Sequence, residues 1–434
     1  MARVTAAPDP SHDARPRWSA LLWWVLGVLV LLVSVRPLLQ KYLLEFPDEI
    51  WLVDLEVYRE GARSLVEGRQ VYGWLTGNPQ YLPFTYPPFG ALMGTALLLA
   101  PFRVVGWAWT AMQLALLWVC TGIAFRPFLE RFGPRSALAQ GAVAALLVQM
   151  WPLQEGLRFG QVNSIIVTLC LVDLGRRRAG WWPRGSLTGI ATAVKLTPAV
   201  FWVHFALARR WRALAVSVGV AASATLLTAL VAPSSTAAYW TDALLDPGRL
   251  GPNANTANQS LRGVLLRTGV LPEGSHRLTA VWLVLVILVV TCGYRLALRL
   301  DRLGEPVAVV AVMGMLAVLV SPVSWVHHVH WGIVAIGALL GDARVRRRVA
   351  AALAGAVMLW YDLPWDGADL QNFPGRRRYL GYVMEQGYCI FALLALVALW
   401  LLVARRRRTA PAESRELPEA ASGDDLVTSG TATG

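Results

Sequence analysis

Apolar runs and short polar breaks alternate along almost the whole chain. Apolar runs that read as membrane spans, a full crossing taking about 20 residues, fall at 20–43, 105–126, 137–153, 162–175, 213–232, 278–299, 306–322, 328–341, 349–361 and 383–404, with two short ones at 185–196 and 198–208. The pattern predicts an all-α, polytopic membrane protein with about twelve spans. One stretch breaks the pattern. "DLEVYREGARSLVEGRQVYG" (54–73) follows directly on the first apolar run and is charge-rich and amphipathic. As a helix it puts Tyr58, Ala62, Leu65 and Val66 on one face and Arg59, Glu60, Arg63 and Glu67 on the other. Asp54 stands at its N-cap position and Gly68 at C′, and the helix is expected to lie along the membrane surface. The run 89–102, after the stiff "YLPFTYPP", is expected to be an interfacial or re-entrant helix on the outer side, because a full span there would invert every later loop.

Composition agrees with this class: 56% of residues are hydrophobic and 15% charged, too apolar for a soluble chain of 434 residues. The formal charge of +13 does not imply nucleic acid, because the cations sit in short clusters at the ends of apolar runs. With a cytoplasmic N-terminus, the clusters Arg126/Arg131/Arg135, Arg176–Arg178, Arg209/Arg210/Arg212, Arg299/Arg302, Arg344–Arg348 and Arg405–Arg408 all fall inside. Arg376–Arg378 remains outside as the exception. Arg3, Arg15 and Arg17 precede an apolar run with no small-residue cleavage site, which fits an uncleaved first span. The expected organisation is a cytoplasmic segment at 1–19, a membrane domain at 20–405 and a disordered cytoplasmic tail at 406–434. Cys120, Cys170, Cys292 and Cys389 lie singly in apolar runs, so they read as small core residues and not as a disulfide framework or zinc site. No fixed-period repeat is visible.

In that topology the outer side collects the candidate chemistry. Asp54 reads either as a helix cap or as a carboxylate facing an outer cavity; Glu56, two residues on, points elsewhere. "GQVN" (160–163) puts two amides where a span begins, either bridging helices or recognising hydroxyls. Lys195 is one of only two lysines beside 38 arginines and stands between two short apolar halves, where Thr197-Pro198 breaks the helix. A cation there is costly unless it is paired or wet, and a phosphate suits its compact charge; snorkelling to the interface is the plainer alternative. "SWVHHVHW" (324–331) places His327, His328 and His330 at the outer end of a span. This spacing lacks the i,i+4 pairing of a helical zinc site and has no carboxylate, so a hydrogen bond to phosphate or sugar fits better than a metal. Trp325 and Trp331 could stack on sugar rings, although tryptophans in a membrane protein first form an interfacial belt.

Taken in order, "DLEVY" with Gly61-Ala62, "LPFTYPP", "GQVN", "VKLTP" with "RRWR", "NQSLRG" and "SPVSWVHH" resemble the bacterial polyprenyl-phosphate-mannose-dependent α-1,2-mannosyltransferases of the integral-membrane glycosyltransferase C superfamily. The resemblance runs from about residue 20 to 405. It implies a multi-pass plasma-membrane enzyme with its active site on the extracytoplasmic face. The donor would be polyprenyl-phosphate mannose and the acceptor a glycolipid, either phosphatidylinositol mannoside or a longer mannan, with no metal or other cofactor. The bias for arginine over lysine suits the GC-rich actinobacteria in which that family builds such glycolipids. By resemblance Asp54 takes the place of the catalytic aspartate. Lys195, His327, His328 and Arg262 are expected at the donor phosphate, and Glu56, Tyr58, Tyr86, Gln161, Asn163, Gln259 and Trp325 at the sugars.

The implied chemistry needs one carboxylate, since a phosphate leaving group requires no general acid, whereas a glycosidase would need two. A Gly-rich nucleotide loop is absent. Other classes remain in view. A lipid-linked-sugar flippase should carry ionisable groups along its path and on both sides, a noncatalytic lipid scaffold would tolerate loss of Asp54, and an arabinosyl or α-1,6-mannosyl enzyme would present the same residue types.

Overall fold

A computed structural model describes residues 17–175 and 181–409. The described chain is helical, and its extended pairing is limited to two isolated bridges, Leu75 with Pro83 and Asn258 with Trp325. Five helices are long and apolar enough to cross a membrane: Trp18–Leu44, Phe102–Ala124, Trp211–Val231, His276–Arg302 and Gly387–Ala404. A sixth candidate is the pair Arg126–Leu147 and Trp151–Phe159, bent by 80°. These helices wear their apolar residues outward. Val33 is 72% exposed, Leu230 83% and Val284 65%, a surface that water would not tolerate at this extent and that hydrocarbon would.

The elements that build the site are α1 (Arg17–Leu39), α2 (Val53–Val66), α3 (Pro88–Gly94), α4 (Phe102–Ala124), α5 (Ser136–Leu147), α6 (Trp151–Phe159), α7 (Asn163–Gly175), α8 (Ser186–Val194), α9 (Val200–Leu207) and α10 (Trp211–Val231). Farther along come α11 (His276–Arg302), α12 (Pro306–Val320), α13 (Gly332–Leu340), α14 (Arg346–Trp360) and α15 (Gly387–Thr409). The helix α12 is buried along nearly its whole length and serves as the centre of the bundle.

The two short runs expected as separate spans, 185–196 and 198–208, fold differently. Their helices α8 and α9 have nine and eight residues, so each is about 14 Å long or less, half the hydrocarbon thickness. Both pack on α10 in opposite senses: Gly185 and Gly189 lie against Ala213 and Ser217, and Trp202 donates to Ser217 Oγ at 2.7 Å. Together they form a hairpin that enters the bundle from the Arg184–Arg210 end and turns at Lys195. Its entry is secured by Asp173 on α7, whose buried Oδ2 accepts from Gly185 N (2.9 Å), Thr188 N (3.1 Å) and Thr188 Oγ1 (2.8 Å), satisfying the first turn of α8 from another helix.

The amphipathic stretch forms α2, and it ends as its residues dictate. Gly68 takes φ +69, and the bonds Arg69 N to Ser64 O (2.8 Å) and Gly68 N to Leu65 O (3.2 Å) close a Schellman motif. Its start differs from expectation. The N-cap is Leu52, a fully buried residue at φ 49, and the Asp54 side chain makes no capping bond. Leucine in the left-handed region costs about 1–2 kcal/mol, offset here by complete burial. The helix is also more enclosed than one lying on a surface: Leu55, Val57 and Ser64 are buried along with Tyr58, Ala62 and Leu65, while Val66 is 63% exposed. Segment Pro88–Leu98, about 18 Å long as helix and 3₁₀ turn, is too short to cross and packs on α2, with Gly94 against the Tyr58 carbonyl.

The bundle has two chemically distinct ends. At one, Arg135 lies over Trp23, Arg131 donates to Asp342 O, Arg348 to Ala338 O and Leu339 O, and Arg210 pairs with Asp301. The described basic clusters therefore share this end. Arg376–Arg378 is set apart, opening a helix (Arg376–Glu385) that leads to the opposite end. Arg3, Arg15, Arg176–Arg178, the side chains of Arg405–Arg408 and the tail beyond residue 409 lie outside the described residues. Cys120, Cys170 and Cys389 are buried as expected, whereas Cys292 is exposed on α11.

Candidate active site

At the end opposite the basic clusters, four elements converge on one hydrogen-bonded chain. Asp54 enters from the first turn of α2. Gln161 and Asn163 enter from the turn between α6 and α7, Lys195 from the apex of the hairpin, and His328 from the 3₁₀ turn Val326–Trp331 ahead of α13. Gly160 makes the turn possible. It ends α6 at φ 67, and a Cβ there would come within 2.8 Å of Leu55 Cβ, so only glycine lets Gln161 approach the Asp54 helix.

Gln161 Nε2 donates to Asp54 Oδ2. Its Oε1 accepts from Tyr58 OH at 3.3 Å and Asn163 Nδ2 at 3.4 Å, and the Tyr58 and Tyr86 hydroxyls lie 3.1 Å apart. Lys195 Nζ donates to Asn163 Oδ1 at 3.0 Å, sits 3.0 Å from His328 Nε2, and lies 5.2 Å from the centre of the Tyr86 ring. Carboxylate and ammonium thus share one polar pocket without touching, with two neutral amides standing between them.

Two consequences follow for charge. Burial raises the Asp54 carboxyl to about 6, against the opposing pull of the Gln161 hydrogen bond and the nearby Lys195 charge; the group is ionised at neutral pH yet still basic enough to accept a proton. At His328, Nδ1 accepts from the Trp325 backbone N–H at 3.1 Å. That bond fixes the proton of the neutral ring on Nε2, so Nε2–H and the Lys195 ammonium are two donors side by side. Such a pair is uncomfortable alone and complementary to an oxyanion placed against both.

Other expected residues take different places. Glu56, half-buried on α2 and raised by burial and then by Glu60, is outside the network. His327 contributes its backbone carbonyl, which accepts from Asn163 Nδ2 at 3.0 Å, while its own Nε2 is buried without a partner. Trp325 contributes its backbone N–H. Gln259 is fully buried and consumes its amide on backbone: Nε2 donates to Thr256 O (2.8 Å) and Glu385 O (2.9 Å), and Oε1 accepts from Tyr388 N at 3.1 Å. It therefore ties its loop to α15 instead of reaching the pocket. Arg262 makes no hydrogen bond to the chain from Asp54 to His328, and its buried Nη1 has no hydrogen-bond partner; in the same loop Arg267 donates to Asn255 O (2.8 Å) and Asn258 O (2.7 Å) and pairs with Glu385 at 3.7 Å. The residue missed from sequence is Glu155. It is buried on α6, paired with Arg158 at 3.1 Å, and near enough to Asp54 to add to its raised affinity for a proton. The i,i+3 spacing in "EGLR" was its available signal. Among the described residues, no three His, Cys, Asp or Glu side chains converge as a metal site would require.

Residues 84–322, more than half of the chain, match glycosyltransferase family 87. The chain belongs to this family. This family 87 enzyme is 33% identical over 410 residues to a polyprenol-phosphate-mannose-dependent alpha-(1-2)-phosphatidylinositol mannoside mannosyltransferase of Mycobacterium tuberculosis (strain ATCC 25618 / H37Rv), covering 89% of this chain and 91% of that one. A polyprenol-phosphate-mannose-dependent alpha-(1-2)-phosphatidylinositol pentamannoside mannosyltransferase of Mycobacterium tuberculosis (strain CDC 1551 / Oshkosh) is 33% identical over 369 residues, covering 84% and 81%. A phosphatidylinositol mannoside mannosyltransferase of Mycolicibacterium smegmatis is 29% identical over 393 residues, covering 84% and 87%. No solved structure matches the chain.

Proposed function

We propose that this glycosyltransferase moves mannose from polyprenyl-phosphate mannose to a phosphatidylinositol mannoside, forming an α-1,2 linkage, and that Asp54 is its general base. The observation that carries the assignment of roles is the chain from Asp54 through Gln161 and Asn163 to Lys195 and His328, which separates a proton acceptor from a pair of anion donors within one pocket. The acceptor hydroxyl gives its proton to Asp54 as its oxygen attacks mannose C1. The bond from C1 to the donor phosphate oxygen breaks on the opposite face, inverting β to α. The electron pair leaves on the phosphate, whose growing charge meets Lys195 Nζ and His328 Nε2–H. No general acid is needed, and no cofactor beyond the lipid-linked donor enters the reaction. Tyr58, Tyr86, Gln161 and Asn163 orient the reacting groups.

The same reading puts the Asp54 end at the extracytoplasmic face of the plasma membrane, with the basic end in the cytoplasm, as the grouping of arginines supports. The shorter apolar helices α7, α12, α13 and α14 complete the membrane bundle around the five long ones, and the α8–α9 hairpin enters it without crossing.

The deciding experiment supplies membranes containing wild type or Asp54→Asn with labelled polyprenyl-phosphate mannose and phosphatidylinositol mannosides, then determines the new linkage. Wild-type transfer to an α-1,2 product, abolished in the variant, supports the assignment; equal transfer by both proteins sinks the role of Asp54, and a different sugar or linkage sinks the reaction named.

A further inference from the structure

A cavity of about 690 Å³ opens at the basic end of the bundle, between the two feet of the α8–α9 hairpin and the first turn of α10. Its buried lining is apolar and includes Leu174, Phe205 and Ala213. Its wall is basic: Arg184 stands before α8, Arg209 and Arg210 follow α9, and Arg212 lies in the first turn of α10. Among the described residues no Asp or Glu lines it. Arg210 spends its charge on Asp301, whereas Arg209 and Arg212 are exposed and, among the described residues, enter no side-chain hydrogen bond or ion pair. Arg209 also stands where glycine is the usual residue. Helix α9 ends in a Schellman motif, with Arg210 N donating to Phe205 O at 2.8 Å and Arg209 N to Ala206 O at 3.0 Å. Arg209 is therefore at C′ with φ 55, left-handed backbone that strains a side chain and leaves glycine unstrained. No bond of its side chain within the described fold offsets that strain. The rim of the cavity is aromatic, with Trp181 93% and Trp211 61% exposed, and Leu207, two residues before Arg209, is 51% exposed. Such a rim belongs at the boundary between headgroups and hydrocarbon.

We propose that this cavity binds the headgroup of an anionic glycerophospholipid from the leaflet at the basic end of the bundle. Guanidinium groups match phosphate oxygens in shape and charge, and basic pockets between membrane helices suit such headgroups. The surroundings select a lipid over a free anion. A headgroup phosphate against Arg209 and Arg212 leaves its acyl chains beside Leu207 and Trp211, on surface that hydrocarbon covers. The lining also selects the charge of the lipid, because the cation of a zwitterionic headgroup would meet arginines and no carboxylate. The volume falls within the range of ligand sites. Since Arg184 precedes α8 and Arg209 follows α9, a phosphate held between them ties together both feet of the hairpin that carries Lys195 at its apex. The site lies at the opposite end from the Asp54 pocket and holds whichever sugar or linkage the enzyme makes.

The test titrates the full-length protein in nonionic detergent with dioctanoyl phosphatidylglycerol or dioctanoyl phosphatidylcholine, and bound lipid is measured by native mass spectrometry. Wild type is expected to bind the phosphatidylglycerol at least about tenfold more tightly than the phosphatidylcholine and to unfold at a higher temperature in its presence. The double variant Arg209→Gly with Arg212→Gln is expected to lose about tenfold or more in affinity for the anionic lipid, as removal of two cations beside a lipid phosphate predicts. Glycine is the residue that the backbone at 209 favours, so without lipid this variant should unfold no earlier than wild type, and its lost binding reports the site. The single variant Arg212→Gln, at an exposed position of α10, carries the same test with a loss of about fivefold. Arg377→Gln with Arg378→Gln, in the exposed basic cluster set apart from this end, is expected to leave binding unchanged. An undiminished preference for phosphatidylglycerol in the 209/212 and 212 variants overturns the proposal, as does an equal fall in the 377/378 variant, which would mean diffuse attraction to charge. Displacement of the lipid by an equal concentration of inorganic phosphate also overturns it, because the site would then hold a free anion.

Discussion

The Asp54 end and the Arg210 end of the bundle both bring charge close to apolar helices, and they handle it in opposite ways. At the Arg210 end three of the cations find direct partners: Arg210 meets Asp301, Arg131 meets the Asp342 carbonyl, and Arg348 caps the carbonyls that end α13. At the Asp54 end a carboxylate and an ammonium are buried in one pocket and kept from pairing, each held by a neutral amide. A direct buried pair would be quiet and self-satisfied. Holding the partners apart leaves Asp54 free to take a proton and leaves Lys195 and His328 with unspent donors. The first arrangement secures a helix end, and the second keeps unbalanced charge ready for a substrate.

The contrast can be broken experimentally. Its largest expected effect is at Asp54: replacing it with asparagine removes the base and is expected to lower transfer by about 10³-fold, within the range for general-base loss. Next, Lys195→Met is expected to cost about 10²–10³-fold in kcat, as loss of one preorganised donor does elsewhere. Arg210→Met at the other end is expected to change the rate by less than about twofold, in keeping with the small worth of a partly exposed ion pair. Comparable losses from the two variants would erase the distinction between the ends.

A finer cut is the pH profile. The Asp54 carboxyl is raised to about 6 mainly by burial, so transfer should climb with pH through that value as the carboxylate forms. Gln161 holds the charged form through its hydrogen bond, and Gln161→Leu should therefore move the rising limb to higher pH and lower the rate at neutral pH by about tenfold. A limb that stays in place would mean that the titrating base is another group.

A separate expected effect is on stability, and it runs opposite to activity. A carboxyl whose proton affinity is higher in the fold than in the unfolded chain destabilises the fold once ionised, and that penalty is complete above about 6 and absent below the ordinary aspartate value of 3.8. At 1.36 kcal/mol per unit, Asp54→Asn should gain up to about 3 kcal/mol at neutral pH, seen as a higher unfolding midpoint in detergent, with the gain fading as the pH is lowered toward 4. A variant less stable than wild type at neutral pH would show that the carboxylate is part of the scaffold.

Much of this was legible in the chain because it depends on neighbours in sequence. The helix after the first span, its end at Gly68, the opening of a helix at Asn163 and the break at Lys195 all follow from local spacing, glycine and proline. The errors arose where a side chain's partner is remote. Asp54 sits where a cap belongs, but Gln161, more than a hundred residues away, takes its carboxylate. Gln259 sits in a polar motif, but the backbone of α15 absorbs its amide. Two short apolar halves at 185–208 read as two spans, because nothing within them reveals that both pack on α10.

By itself, then, the sequence determined that this chain is a helical membrane protein with its cations banked at the ends of apolar runs, since hydropathy and helix signals act over a turn or two of chain. The tertiary structure alone decided that Asp54, Gln161, Asn163, Lys195 and His328 meet in one place with acid and base held apart. That outcome depends on the glycine-lined approach of α6 and α7 to α2 and on the depth to which the hairpin carries its lysine, and both are packing distances between segments that share no local code.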